Sequence, residues 1–190
     1  MSSLKTDINE LLERVKQGRE LTHASYEPIY YLVFQPSLIL EVKRQMPAWI
    51  AKLKNDGWVV HLFSIKENIG EILKSATQRN IWLKADEKAP TKWQKTNQSL
   101  ANTVTNGSLC SKLEEKLNSL SGKENEILLV VDLEALHPYI RIGAIESQLQ
   151  GIFCVPTVFF YPGERTGKTR LKFLGFYPED GNYRSMHVGG

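Results

Sequence analysis

The chain has 190 residues, which fits one domain, since a typical domain takes roughly 100–200 residues. Its composition, 42% hydrophobic and 24% charged, is that of a soluble globular protein with an ordinary core. The net charge of +3 permits contact with nucleic acid but does not indicate it. We expect a cytoplasmic protein, because we find no signal-peptide pattern and no apolar run of the ~20 residues that a membrane span needs.

The first third of the chain predicts two helices and one strand. Apolar residues at helical spacing indicate an N-terminal helix over 4–17, which Gly18 ends. A short β-branched and aromatic run over 29–34 is typical of a buried strand. A second helical pattern covers 42–53, and Pro47 should kink this helix or start a new one, because proline removes a backbone donor.

In the middle of the chain, a predicted strand and helix are followed by a stretch without a clear pattern. A strand is predicted over 58–63, and Ser64 and Glu67 form a capping box that opens the next helix. The polar stretch over 84–98 contains a proline and indicates a loop or a weak helix. Leucines at helical spacing then predict a helix over 109–120.

The last third adds three strands and completes the fold prediction. A continuous apolar run over 127–131 indicates a strand buried on both faces, and Pro138 suits the first turn of the helix after it. Further strands are predicted over 155–161 and 171–177. Alternating strands and helices predict a single α/β domain over 1–190 with a mainly parallel central sheet, helices on both faces and a short antiparallel edge strand near the C-terminus.

Polar residues at the carboxyl ends of the predicted strands form the first candidate site, because ligands of such sheets bind there. These residues are Gln35, Ser64, Asp132, Glu134, His137, Tyr161 and Glu164. An acid, a histidine and a tyrosine close together could perform acid–base chemistry. We favour the alternative that Asp132 and Glu134 cap or solvate the helix near Pro138.

The stretch over 162–169 resembles a phosphate-binding loop but departs from it. That loop needs G-x-x-x-x-G-K-[ST], so that backbone amides surround the phosphates and the lysine reaches them. Pro162 stands at the first glycine position and has no amide to donate, and the alternating residues after Lys168 indicate a strand where a helix is needed. We therefore predict a hairpin loop and no nucleotide site.

A third candidate is a nucleic-acid patch in the polar middle stretch. Basic groups with interleaved aromatic rings can bind a single strand. The residues are Lys84, Lys88, Lys92 and Lys95, which flank Trp82 and Trp93. We favour a solvated loop, because Asp86 and Glu87 dilute the charge.

The cysteines and histidines indicate neither a disulfide nor a metal site. Cys154 lies in an apolar run and should be a small buried residue, far in sequence from Cys110. The histidines are scattered, without the spacing of metal ligands. The sequence therefore contains no convincing catalytic set, and we predict no catalytic, cofactor or metal-binding residue.

Two segments resemble the BrxB family of the BREX phage-exclusion system. The stretch V-P-T-V-F-F-Y-P-G-E over 155–164 is similar to the family segment V-P-V-V-x-F-Y-P-G-E, and N-Y-R-S-M over 182–186 is similar to the family ending D-N-Y-Y-R-A-F. The early strand before Pro36 and the helix after it also fit the family. The sequence departs at Gln35 and Gly181, where the family has acidic residues.

The resemblance implies an accessory protein of anti-phage defence. The absence of a convincing catalytic set agrees with an adaptor that is not an enzyme and has no cofactor. Its expected partners are other BREX proteins, first the PglZ-type phosphatase-like protein. Nucleic-acid binding, or nucleotide-binding enzymatic activity at the strand ends, is the alternative.

The resemblance also supplies a candidate interaction site, here called the C-terminal corner: Tyr161, Pro162, Gly163, Glu164, Tyr183 and Arg184. Tyr161 should end a strand, and the next two residues should form a turn. Tyrosine and arginine are enriched at the energetic centres of interfaces. Alternatively, Arg184 pairs with Glu164 or Glu179 and fixes the tail.

Overall fold

The structure is a computed structural model that describes residues 3–20, 27–167, 170–181 and 185–190. Its centre is a sheet that includes β1 (Ile29–Phe34), β2 (Val59–Ser64), β3 (Glu126–Val131), β4 (Thr157–Thr166) and β7 (Met186–Gly189). Within the described residues, these strands have the order β2-β3-β4-β1-β7 and every neighbouring pair is parallel. The predicted mainly parallel sheet is therefore confirmed.

Helices cover both faces of this sheet, as the alternating pattern predicts. One face packs against α1 (Leu4–Glu20) and α2 (Ile39–Asn55). The other face packs against α3 (Ile65–Ser75), α5 (Trp93–Thr105), α6 (Ser108–Leu120) and α7 (Ile142–Gln148). A further helix, α4 (Arg79–Lys88), packs beside α5. Residues on β1, on 127–131 of β3 and on 158–161 of β4 alternate between two apolar cores, so these runs are apolar and almost entirely buried.

β4 takes part in two kinds of pairing. Its first part pairs in parallel with β1 as far as Pro162, and its second part pairs antiparallel with β5 (Arg170–Phe173), which in turn pairs with β6 (Glu179–Asp180). A Cβ at Gly163 would lie 2.4 Å from the carbonyl oxygen of Lys172, so glycine is needed for this close approach. The predicted turn at Pro162 and Gly163 is therefore wrong, whereas the antiparallel edge is confirmed.

The structure decides three predictions about helices. The stretch over 84–98 is mostly helical, within α4 and α5, so the alternative of a weak helix is confirmed and that of a loop is wrong. The helix α2 runs through Pro47, so the alternative of a new helix starting there is wrong; a single lost hydrogen bond is tolerated where Trp49 and Leu53 remain buried. Pro138 does not lie in the first turn of α7, which begins only at Ile142.

The C-terminal strand β7 was not indicated by the sequence pattern. It is short and pairs with β1 in the register Tyr30↔Met186 to Val33↔Gly189. Gly189 has φ +81°, and a Cβ there would lie 2.4 Å from the carbonyl oxygen of Val33. β7 forms one edge of the sheet and β2 forms the other. In the part of the chain that the structure describes, no helix has the length and apolar character to cross a bilayer.

Candidate functional site

The carboxyl ends of the central strands bring four polar side chains together. Asp132 follows β3 with φ 60° and ψ 37°, a left-handed conformation that aspartate tolerates better than most residues. Its Oδ2 accepts a hydrogen bond of 2.6 Å from the Ser64 hydroxyl, and its Oδ1 lies 2.7 Å from Lys43 Nζ. The same Lys43 Nζ lies 2.6 Å from Glu134 Oε1. We call Lys43, Ser64, Asp132 and Glu134 the rim cluster.

The rim cluster stabilises its own charges. Partial burial opposes ionisation of Asp132, but hydrogen bonds from Lys43 and Ser64 outweigh it and hold the pKa of Asp132 below its ordinary value. Burial likewise disfavours the Lys43 ammonium, but its bonds to Asp132 and Glu134 raise the pKa of Lys43. Ser64 Oγ also accepts the backbone N–H of Glu67 at 3.1 Å and thereby caps α3, as its sequence predicts. Lys43 and Asp132 therefore both remain charged near neutral pH.

The other predicted strand-end residues do not join the rim cluster. The side chain of His137 hydrogen-bonds the hydroxyl of Tyr177. Tyr161 is 1% exposed, and its ring packs 5.5 Å from that of Phe173. Gln35 is exposed after β1 and Glu164 is half-buried in the antiparallel part of β4. The acid, histidine and tyrosine of the predicted acid–base set are thus not assembled.

The first half of the C-terminal corner is structural. Tyr161, Pro162 and Gly163 are buried within β4, at the change from parallel to antiparallel pairing. Burial raises the pKa of Tyr161 far above its ordinary value, so its hydroxyl stays protonated. Tyr183 and Arg184 lie outside the described residues. The interaction role of the corner stays a prediction.

A buried carboxyl group beside a surface pocket was missed by sequence reasoning. Glu146 on α7 is 9% exposed, and its Oε2 accepts a 2.5 Å hydrogen bond from the Tyr31 hydroxyl. Burial raises the pKa of Glu146 to about 7, although the bond from Tyr31 opposes the rise. A signal was available, because Glu146 shares the apolar face of α7 with Ile142, Ile145 and Leu149.

The pocket beside this pair has a volume of about 540 Å³. It is lined by Arg141, Gly143, Ala144, Glu146, Ser147, Glu179, Asp180 and Gly181. Arg141 is already engaged, because its guanidinium lies 4.2 Å from the centre of the Tyr177 ring and donates to the carbonyl of Pro178 at 3.2 Å. Glu179 lies 3.5 Å from Arg170.

His187 on β7 packs against the ring of the same tyrosine. Its ring centroid lies 5.3 Å from that of Tyr31 in an edge-on arrangement, and the residue is 5% exposed. Burial, with a smaller contribution from Arg165, lowers the pKa of His187 to about 4. The histidine is therefore neutral at physiological pH. Tyr31 thus contacts two buried titratable groups whose pKa values have moved in opposite directions.

Comparison with models of protein families shows to which family the chain belongs. The family model described as "BREX protein BrxB" matches residues 62–188, which is most of the chain. The chain belongs to the BrxB family. No curated protein and no solved structure gives a significant match.

Membership makes this BrxB-family chain a component of a BREX system, with other BREX proteins as its partners. The match begins inside β2, but the segment before it is part of the same domain. β1 lies in this segment and is paired on both sides, with β4 and β7.

The residues of the predicted nucleic-acid patch lie on α4, on α5 and between these two helices of the BrxB-family fold. Trp82 is buried and its Nε1 donates to Ser99 Oγ at 2.9 Å, whereas Trp93 is 56% exposed. The lysines of the predicted nucleic-acid patch are all exposed. Cys154 is exposed as well, so its predicted burial is wrong, and both cysteines are free thiols. Over the residues with a described position, no group of three or more potential metal ligands occurs.

Proposed function

We propose that this BrxB-family protein is a non-enzymatic adaptor that binds other BREX components, with the PglZ-type protein as its first partner. The observation that carries the proposal is that the polar groups of the rim cluster bind one another. Strand ends of parallel sheets normally offer unsatisfied polar groups to a substrate. Here Lys43 bonds both Asp132 and Glu134, and Ser64 bonds Asp132 while it caps a helix.

The energetics of the rim cluster favour a structural role. A lysine bound by two carboxylates has two of its three N–H donors directed to them, and a reacting group would have to break these bonds before it could use them. The loop between β3 and α7 is thereby tied to α2, which holds the sheet and the helix layer together. A catalytic group needs a free lone pair or proton within reach of a substrate, and His137 and Tyr161 are engaged elsewhere.

A substitution that removes one carboxylate distinguishes an adaptor from an enzyme. Glu134→Gln keeps the shape and a carbonyl acceptor but removes the negative charge that pairs with Lys43, which should cost about 1 kcal/mol of stability at this partly exposed site. As a structural residue, it should leave phage protection intact in a plaque assay. If Glu134 performs acid–base chemistry, protection falls by orders of magnitude while the melting temperature stays within a few degrees.

Partner binding is tested by purification from cells that carry the complete BREX operon. The tagged wild-type chain should recover a PglZ-type protein, identified by mass spectrometry, after a wash in 150 mM salt. The Glu134→Gln chain should recover the same amount. Recovery of no BREX protein by the wild-type chain would contradict the adaptor proposal.

A further inference from the structure

The exposed surface of α4 and the start of α5 has a composition that the fold itself does not require. We call residues 79–95 the α4–α5 surface. Ile81 is 66% exposed and Trp93 is 56% exposed. α4 is held to α5 through the buried ring of Trp82 and its bond to Ser99, so the fold is complete without covering these two side chains. Exposed apolar side chains rimmed by polar residues mark a binding surface where they form a contiguous patch.

Four lysines lie close to these two apolar residues along the chain. Lys84 and Lys88 lie three and seven positions after Ile81 and therefore share its side of the helix. Lys92 and Lys95 stand on either side of Trp93, and all four lysines are exposed. The surface contains five basic residues, with Arg79, against the acidic pair Asp86 and Glu87. This excess equals the net charge of the whole chain, +3.

Asp86 and Arg79 lie on the other flank of α4, where both neighbour Leu83, which is 53% exposed. Glu87 lies three positions after Lys84 and four after Leu83, so it stands between the two flanks. Ile81, Lys84 and Lys88 therefore share one flank of the helix, and Lys92 and Lys95 border Trp93 near the start of α5.

We propose that the α4–α5 surface is the docking site for an acidic, apolar-containing segment of another BREX protein. The carboxylates of this segment face the four lysines, and its apolar side chains cover Ile81 and Trp93. The inference rests on the adaptor function proposed above. A tryptophan bordered by charges is the composition of an interface centre with a polar rim, and the lysines steer an acidic partner to it.

A protein segment fits this surface better than a nucleic acid does. Single-stranded nucleic acid needs aromatic rings on which successive bases stack. Trp82 is 7% exposed and cannot stack, which leaves Trp93 alone among the two tryptophans of the predicted patch. Ile81 is aliphatic and contributes apolar area but no stacking platform. The lysines suit either partner, so binding of DNA is an outcome of the test.

The experiment compares two double variants with matched controls in cells that carry the whole BREX operon. Ile81→Ser with Trp93→Ser removes apolar area, and Leu40→Ser, at a residue that is 73% exposed on α2, is its control. Lys84→Glu with Lys88→Glu reverses charge. Lys54→Glu with Lys123→Glu makes the same change in net charge at exposed positions elsewhere and is its control.

Both α4–α5 variants should recover at least tenfold less of the BREX partner than the wild type, with an unchanged melting temperature. The controls should recover it fully. A zero-length carbodiimide cross-linker should join Lys84, Lys88, Lys92 or Lys95 to aspartate or glutamate of that partner in the wild-type complex.

Three results overturn the inference. If the α4–α5 variants recover the partner as the wild type does, the adaptor proposal survives and the docking site lies elsewhere. If the purified wild type binds a 30-nucleotide DNA at micromolar concentration and Lys84→Glu with Lys88→Glu abolishes this binding, the surface is a nucleic-acid site. If the wild type recovers no BREX protein, the adaptor proposal and this inference fail together.

Discussion

Replacing Glu146 by glutamine should make the protein more stable above pH 7. Glutamine has nearly the same shape, and its carbonyl oxygen can still accept the hydrogen bond from Tyr31. What it removes is the charge that burial makes unfavourable. The pKa of Glu146 is about 7 in the folded protein against an ordinary value of 4.5. Between these two values the folded state binds a proton that the unfolded state has released, so the free energy of unfolding falls as the pH rises.

The magnitude follows from this difference in pKa. Each unit corresponds to about 1.4 kcal/mol, so ionised Glu146 destabilises the fold by up to about 3 kcal/mol above pH 7. Below pH 4.5 the carboxyl group is neutral in both states, and the two proteins should be about equally stable. In a domain of this size, the variant should therefore melt higher at pH 8 by about 2–4 °C per kcal/mol.

His187 offsets the effect of Glu146 on the pH dependence of the wild-type stability. The pKa of His187 is about 4 in the folded protein against an ordinary value of 6.5, so its contribution to the free energy of unfolding falls as the pH decreases from 6.5 to 4. The free energy of unfolding thus changes with pH in opposite directions, and by similar amounts, for His187 and Glu146. Between pH 4.5 and 6.5 the two contributions should nearly cancel in the wild type, whereas Glu146→Gln should lose stability as the pH is lowered in that range.

The assay is urea unfolding followed by circular dichroism, from pH 4.5 to 8, for the wild type and Glu146→Gln. Glu124→Gln, at an exposed position, is the matched control and should follow the wild type. Parallel profiles of the wild type and Glu146→Gln, or a variant that is less stable at pH 8, would refute the reasoning.

Four further changes test the fold and the remaining candidate sites. Val130→Asp puts an unpaired charge between buried strands and should leave the protein unfolded by circular dichroism; a soluble folded variant contradicts the central place of β3. Gly163→Ala should cost about 2 kcal/mol in urea unfolding, because its Cβ meets backbone; unchanged stability contradicts the close pairing of β4 and β5. Lys168→Ala should leave phage protection intact, and ATP should not shift the melting temperature of the wild type; micromolar ATP affinity lost in the variant contradicts this. Arg184→Ala should abolish partner recovery at an unchanged melting temperature if Arg184 binds a partner, and lower the melting temperature if it fixes the tail; normal melting with full protection excludes both roles.

The strands of the core could be predicted because burial on two faces leaves a plain signal. β1 and β3 are continuous apolar runs, and the structure places them within about one residue of the predicted bounds. β7 carries no such signal, since it is short and contains the buried polar residue His187. Its position depends on pairing with β1, which lies far away in sequence.

Local rules failed where tertiary contacts outweighed them. Pro162 and Gly163 are typical turn residues, yet they continue β4, because the proline stands where the parallel ladder ends and the glycine permits close backbone contact. The lysine-rich segment over 84–98 lies in two helices that each bury few side chains, Trp82 on α4 and Thr96 and Val104 on α5, so its apolar periodicity is weak.

The candidate sites consist of side chains that are far apart in sequence, so no sequence motif indicates that they are in contact. Lys43 meets Asp132 across the top of the sheet, and Tyr31 meets Glu146 through its core. The sequence pointed to the carboxylates at the strand ends but not to the lysine that neutralises them. Only the misplaced charge of Glu146 in an apolar helix face could have been noticed beforehand.

The position of β1 determines when this protein can fold during its synthesis. β1 is translated well before its two neighbouring strands, β4 and β7. Until then, the six buried residues of β1 have no neighbouring strand to pair with, and contacts so distant in sequence form slowly. The sheet therefore closes only after β7 has been translated, and chaperones that shield the nascent β1 segment should raise the soluble yield. A variant that lacks residues 181–190 would expose one side of β1 permanently, and it should aggregate.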